Sequence, residues 1–257
     1  MSVIAKECPP VGSAGVTPCR NLLNCVLTLN PMTIEHVDIF FQIVVFLFAI
    51  SVHESAHAWT ALRRGDATAY MLGRVTLNPL KHIDPIGTVL LPALALLTHF
   101  PLIGWAKPTP VNTRNFKNLV LDDVLTSVAG PVSNFMVATI ATLLLLGISL
   151  SSPLGREIVT NRTIGSITES TSLLMPFVML LYDAMLINVL LGLFNLIPIP
   201  PLDGSHVLRH FLPYGAQRAY DAVGMFGLLL LFTVGGRMLR IMMDPVVNTI
   251  NALLTRF

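Results

Sequence analysis

The chain has 257 residues, of which 53% are hydrophobic and only 12% charged, about half the charged share of a typical soluble domain. So few Lys, Arg, Asp and Glu residues cannot coat a water-exposed surface of this size, and lipid is expected as the solvent for much of it. A net charge of +2 leaves no basic footprint for nucleic acid.

The chain opens on residues 1–31, rich in small residues and prolines and without the basic-then-apolar order of a signal peptide. This stretch reads as a poorly ordered tail ahead of a single membrane domain over 32–257, and translation from Met32 is a second reading of the start. Cys8, Cys19 and Cys25 all fall in the tail, odd in number and without CxxC spacing, so they read as incidental thiols rather than a zinc knot.

Crossing a hydrocarbon core takes roughly 20 apolar residues. Ile39–Leu62, Val132–Ser151 and Leu173–Ile197 meet that length, and Ala222–Val234 with its flanks is a fourth candidate. Ile86–Ile103 is short and broken by Pro92 and Pro101, and reads as a segment that dips into the membrane and returns. Between the first span and this segment, Ala67–Pro79 carries β-branched and aromatic residues around Gly73 and reads as extended or hairpin-like. Trp105–Asn112 is also extended, because Pro108 and Pro110 push their predecessors out of the helical region. The expected fold class is an all-α polytopic membrane protein of about 4–6 transmembrane helices, with a short membrane-associated extended or β-hairpin region.

Charge placement orients these spans. Arg63, Arg64, Arg74 and Lys81 follow the first, and Lys107, Arg114 and Lys117 precede the Val132 span, so both groups are expected on the cytoplasmic side.

His53-Glu54-Ser55-Ala56-His57 fits HExxH. A four-residue separation puts two imidazoles on one helical face, one turn apart, where they can grip a single Zn²⁺ at about 2.0–2.1 Å. Glu54 lies on the adjoining face, placed to take a proton from the attacking water. The motif follows the apolar run Ile39–Ile50 inside the same span, where ionisable groups are costly and usually functional. A site of this kind needs a third protein ligand. Asp203 is the candidate: it follows Pro198, Pro200 and Pro201, which break the Leu173 span and let backbone line a cavity. Asp183 lies roughly 18 Å toward the opposite face by helical rise and reads as capping or solvating that end. His206 and His210 fall beyond the break and read as interfacial.

These residues give the chain its resemblance. HExxH at 53–57 followed by Asn195-Leu196-Ile197-Pro198-Ile199-Pro200-Pro201-Leu202-Asp203-Gly204 resembles the paired signatures of the site-2 protease family (peptidase family M50), in its compact form without a PDZ domain. Ala129-Gly130-Pro131-Val132-Ser133-Asn134 and Gly73-Arg74-Val75-Thr76-Leu77-Asn78-Pro79 are similar to other segments of that family. The resemblance implies one Zn²⁺ per chain held by His53, His57 and Asp203, with Glu54 as general base. It also implies a multi-pass cell-membrane protein that cleaves transmembrane protein substrates, such as single-pass anti-sigma factors, in regulated intramembrane proteolysis. The active site would face the cytoplasm.

Asn134, a short way into its span, is expected as a catalytic donor to the developing oxyanion, with an interhelical hydrogen bond as its structural alternative. Gly130-Pro131 either loosens that helix or initiates it. The extended segments at 67–79 or 105–112 could receive an unwound substrate as an added strand. A membrane zinc transporter and a catalytically silent scaffold are the other classes. Ligands clustered on one side argue against the first, and an intact Glu54 against the second.

Overall fold

Each of the three longest apolar stretches becomes a helix in this computed structural model, which describes residues 34–90, 107–166, 172–230 and 236–256. In chain order, α1 spans Ile34–Arg64, α2 is a single turn over Thr68–Met71, and α3 spans Leu119–Ser151. Then come α4 (Pro153–Thr163), α5 (Leu174–Asn195), α6 (Asp203–Phe211), α7 (Tyr214–Leu230) and α8 (Gly236–Arg256). Among the described residues, α1, α3 and α5 are long and apolar enough to cross a membrane. Even the shortest, α5 with 22 residues, reaches about 33 Å at 1.5 Å per residue.

The expected count of four to six spans is therefore three among the described residues. The Ala222–Val234 candidate falls on the end of α7 and on residues outside those described, as does most of Ile86–Ile103. The described part of the latter forms a π-helical turn at Pro85–Leu90. The tail 1–31 also lies outside the described residues, and from Asp38 onward the described chain forms one compact unit.

Two boundaries depart from expectation for identifiable reasons. Helix α3 begins thirteen residues before Val132 because Asn118 caps it: its side chain accepts from Leu121 N at 3.2 Å, and Asp122 accepts from Asn118 N at 2.8 Å. Asp122 and Asp123 interrupt the apolar run without interrupting the helix. Pro131 consequently sits deep inside α3, so it initiates nothing. The expected hairpin at 67–79 is corrected outright, and no strand occurs among the described residues. The backbone there closes on itself, with Met71 N bonded to Ala67 O and Arg74 N to Ala69 O, each at 2.9 Å. No described residue supplies a second strand to pair with it.

Helix α1 ends at Gly65, whose φ of +114° only glycine adopts cheaply. Gly65 N bonds Leu62 O at 3.3 Å and Asp66 N bonds Ala61 O at 2.9 Å, a Schellman closure that satisfies the last helical carbonyls. Helix α3 packs along α5 and also touches α4 and α6. Small residues permit that approach, as membrane helix pairs require: Ala138 and Ala141 are buried on α3. A Cβ on Gly192 of α5 would lie 2.8 Å from Phe135 Cζ of α3.

Asp183 does not solvate a helix end. It is 2% exposed, and Arg162 of α4 reaches both Asp183 and Asp38 of α1 at 2.7 Å. A charge at that depth is tolerable only when paired.

Candidate active site

HExxH lies within α1, and helical spacing brings His53 and His57 into edge-to-face contact, ring centroids 4.6 Å apart. Both are buried. The third residue arrives from a distance of 150 positions. Helix α5 stops at Asn195, where the proline-rich turn 196–202 doubles the chain back through Leu202 N to Ile199 O at 3.0 Å. Asp203 then opens α6. Its Oδ2 lies 3.0 Å from His53 Nε2 and 3.3 Å from His57 Nε2, and the two Nε2 atoms are 3.0 Å apart. Helix α6 is fastened to α3 by His210, whose Nε2 lies 2.7 Å from Asp123 Oδ2, with His206 Nδ1 at 3.7 Å from the same oxygen. Neither of these histidines belongs to the His53–His57–Asp203 cluster.

The donor set fits a metal. Among the described residues this is the group of His, Cys, Asp and Glu side chains whose ligand atoms fall within 4.8 Å of one another. Their spacing of 3.0–3.3 Å approaches the edge of about 3.3 Å that separates ligands around a tetrahedral ion bound at 2.0–2.1 Å. The other ring nitrogens face acceptors: His57 Nδ1 sits 2.7 Å from the Thr126 carbonyl and His53 Nδ1 sits 2.5 Å from Asn134 Oδ1. With the protons held at Nδ1, both Nε2 atoms present lone pairs, as second-sphere partners of metal-bound histidines ordinarily ensure. Two lone pairs and a carboxylate oxygen facing one another need a cation between them. Gly130 of α3 supplies the room: a Cβ there would come within 2.6 Å of His53 Nε2 and closer still to His57 Nε2.

Glu54 points to the neighbouring loop. Thr109 N donates to its Oε2 at 2.8 Å and Thr109 Oγ1 at 2.7 Å. Thr109 stands between Pro108 and Pro110, so it holds the one N–H of that triplet and spends it on the glutamate. The loop is tied down on both sides, by Lys107 N to His82 O at 2.9 Å and by Asn112 N to Asp66 Oδ2 at 2.7 Å.

Asn134 is placed differently from expectation. It is fully buried with its oxygen toward His53 and its amide nitrogen donating to Asn188 Oδ1 at 2.9 Å. Both ends of the amide are engaged, so it faces a ligand side chain rather than a reacting carbonyl, and the interhelical alternative describes it better. Asn195 donates to Leu191 O at 3.0 Å and secures the end of α5. Asn188 and Thr109 were not among the residues expected at the site. A lone asparagine in an apolar span was a signal for the first, and a lone N–H between two prolines for the second.

A helix-borne imidazole pair with an intervening glutamate, completed by a distant carboxylate among membrane-length helices, defines a metallopeptidase of the membrane. The chain belongs to peptidase family M50, whose profile matches residues 41–234. It is 37% identical over 194 residues to "Putative zinc metalloprotease YwhC" of Bacillus subtilis, covering 76% of this chain and 79% of that protein. It is 28% identical over 210 residues to "Putative zinc metalloprotease Rip2" of Mycolicibacterium smegmatis, covering 79% and 69% respectively. Rip2 of Mycobacterium tuberculosis strain H37Rv is 25% identical over 228 residues, covering 87% and 78%. No solved structure matches the chain significantly.

Proposed function

We propose that this protein is an intramembrane zinc endopeptidase that hydrolyses peptide bonds within or beside transmembrane segments of other membrane proteins. The observation that carries the reading is the convergence of His53 and His57, on a helix of membrane length, and Asp203 on one point. In this reading His53 and His57 supply Nε2 and Asp203 supplies Oδ2 to the ion. Zinc, when bound, supplies Lewis acidity toward a peptide carbonyl. Glu54 takes a proton from the attacking water and passes it to the departing amine. Thr109, by holding Oε2, leaves that transfer to Oε1. The zinc of the relatives' names supports the choice of metal.

The cationic residues after α1 and before α3 support a site that faces the cytoplasm. Single-pass proteins of the anti-sigma type, released by regulated intramembrane proteolysis, are the substrate class that fits such a site. The test is incubation of the purified protein in lipid vesicles with a single-pass reporter, with cut positions mapped by mass spectrometry. Zinc-dependent cuts inside the apolar segment are expected. Cuts confined to soluble loops, or cleavage surviving in Glu54→Gln, would refute the proposal.

A further inference from the structure

Three helices meet behind His53 in a chain of hydrogen bonds. His53 Nδ1 of α1 faces Asn134 Oδ1 of α3 at 2.5 Å. Asn134 Nδ2 donates to Asn188 Oδ1 of α5 at 2.9 Å. Asn188 Nδ2 donates to the Ala184 carbonyl at 2.8 Å. Both asparagines are fully buried, away from water that could substitute for either partner.

The direction of this chain is set at its far end. The Ala184 carbonyl can only accept, so the side chain of Asn188 must present nitrogen to it and oxygen to Asn134. Asn134 must then present nitrogen to Asn188 and oxygen to His53. An amide oxygen also only accepts, so His53 carries its proton on Nδ1 and its lone pair on Nε2, 3.0 Å from Asp203 Oδ2. Reversing any one member would set two acceptors or two donors face to face in a buried position, at a cost of about 1–3 kcal/mol for each unsatisfied group.

We propose that Asn188, which touches neither the metal ligands nor Glu54 in any contact described above, is a positioning residue for the metal centre, acting through Asn134 to fix the tautomer and ring plane of His53. This inference rests on the zinc peptidase reading. Helix α5 thereby serves the centre twice, by carrying Asp203 beyond its C-terminal turn and by orienting His53 from its interior.

The test is zinc affinity, measured by chelator competition on the full chain in detergent micelles, for Asn188→Ala, Asn134→Ala and the double variant. Loss of an outer-shell partner typically weakens metal binding 10–100-fold, so each single variant is expected to fall in that range. In the Asn134→Ala background, Asn188→Ala should cost less than about 2-fold more, since interactions within one network are not additive. Asn188→Ser, too short to bridge Asn134 and Ala184, should behave as Asn188→Ala and serves if the alanine variant folds poorly. A purely structural role would lower the melting temperature of metal-free protein and leave zinc affinity intact. That outcome, or losses that multiply in the double variant, overturns the proposal. If wild type itself binds no zinc, the peptidase reading fails. If wild type binds and cleaves while Asn188→Ala binds equally well, only the relay fails.

Discussion

Gly130→Ala isolates the room that α3 leaves for the two imidazoles. In a helix interior this change ordinarily stabilises by about 0.5–1 kcal/mol, so α3 itself has no reason to object. The new methyl, however, would sit 2.6 Å from His53 Nε2 and Cε1 and in closer conflict with His57 Nε2. Ordinary contact starts near 3.4 Å, so in a close-packed interior His53 must retreat by about 0.8 Å and His57 by more. Metal–ligand distances tolerate only about 0.2 Å. Retreat also strains the bonds from the rings to Asn134 and Thr126, so a loss of zinc affinity of at least about 100-fold is expected. The assay is thermal unfolding of the variant and wild type, with and without zinc at 100 times the wild-type dissociation constant. Linkage gives wild type a stabilisation of about 2.7 kcal/mol, which falls to about 0.4 kcal/mol after a 100-fold loss. Metal-free Gly130→Ala should melt within a few degrees of wild type. A variant that zinc stabilises as fully as wild type would refute the reasoning that Gly130 is there to clear the rings.

Glu54→Gln should retain zinc at near wild-type stoichiometry and lose hydrolysis of a transmembrane reporter, since it removes the proton acceptor and leaves His53, His57 and Asp203 in place. Metal content beside activity checks this. Asp66 accepts from Thr68 N and Oγ1, Asn112 N and Asn115 Nδ2; burial pushes its carboxyl up, but these bonds outweigh it and hold it below its ordinary value. Its stabilisation is therefore complete above the unfolded value of about 3.9 and is lost as pH falls through the lower folded value. Asp66→Asn should cost about 1–3 kcal/mol near neutrality, and the gap from wild type should close in acid when unfolding is followed from pH 7 down to pH 2. Arg162→Met leaves buried Asp183 and half-buried Asp38 without their cation and should destabilise by about 3–5 kcal/mol. An unchanged melting temperature in detergent would count against the pairing as a structural tie.

The chemistry of the centre was legible because it is written in local spacing. His53 and His57 are one helical turn apart whatever surrounds them, and three prolines announce the break that delivers Asp203. Long apolar runs likewise announced α1, α3 and α5. What escaped was decided by partners far along the chain. The start of α3 is set by the cap at Asn118, upstream of the apolar run that marked the span, and the helix runs through Asp122 and Asp123. Residues 67–79 have strand-forming side chains, yet a strand exists only where a neighbour offers a ladder, and none of the described residues does. For Asn134 two roles stayed open in the sequence, because the partner that engages its amide, Asn188, lies 54 residues later. The grip of Thr109 on Glu54 joins positions 55 apart in sequence and has no periodic signature.

Asp66 hangs directly from the closing turn of α1 and grips Asn112 and Asn115, while Thr109 between them and the site grips Glu54. The helix that bears the glutamate thus also holds the mooring line of the segment resting on it. Any rigid-body displacement of α1 would therefore carry glutamate and segment together, keeping the setting of the carboxylate.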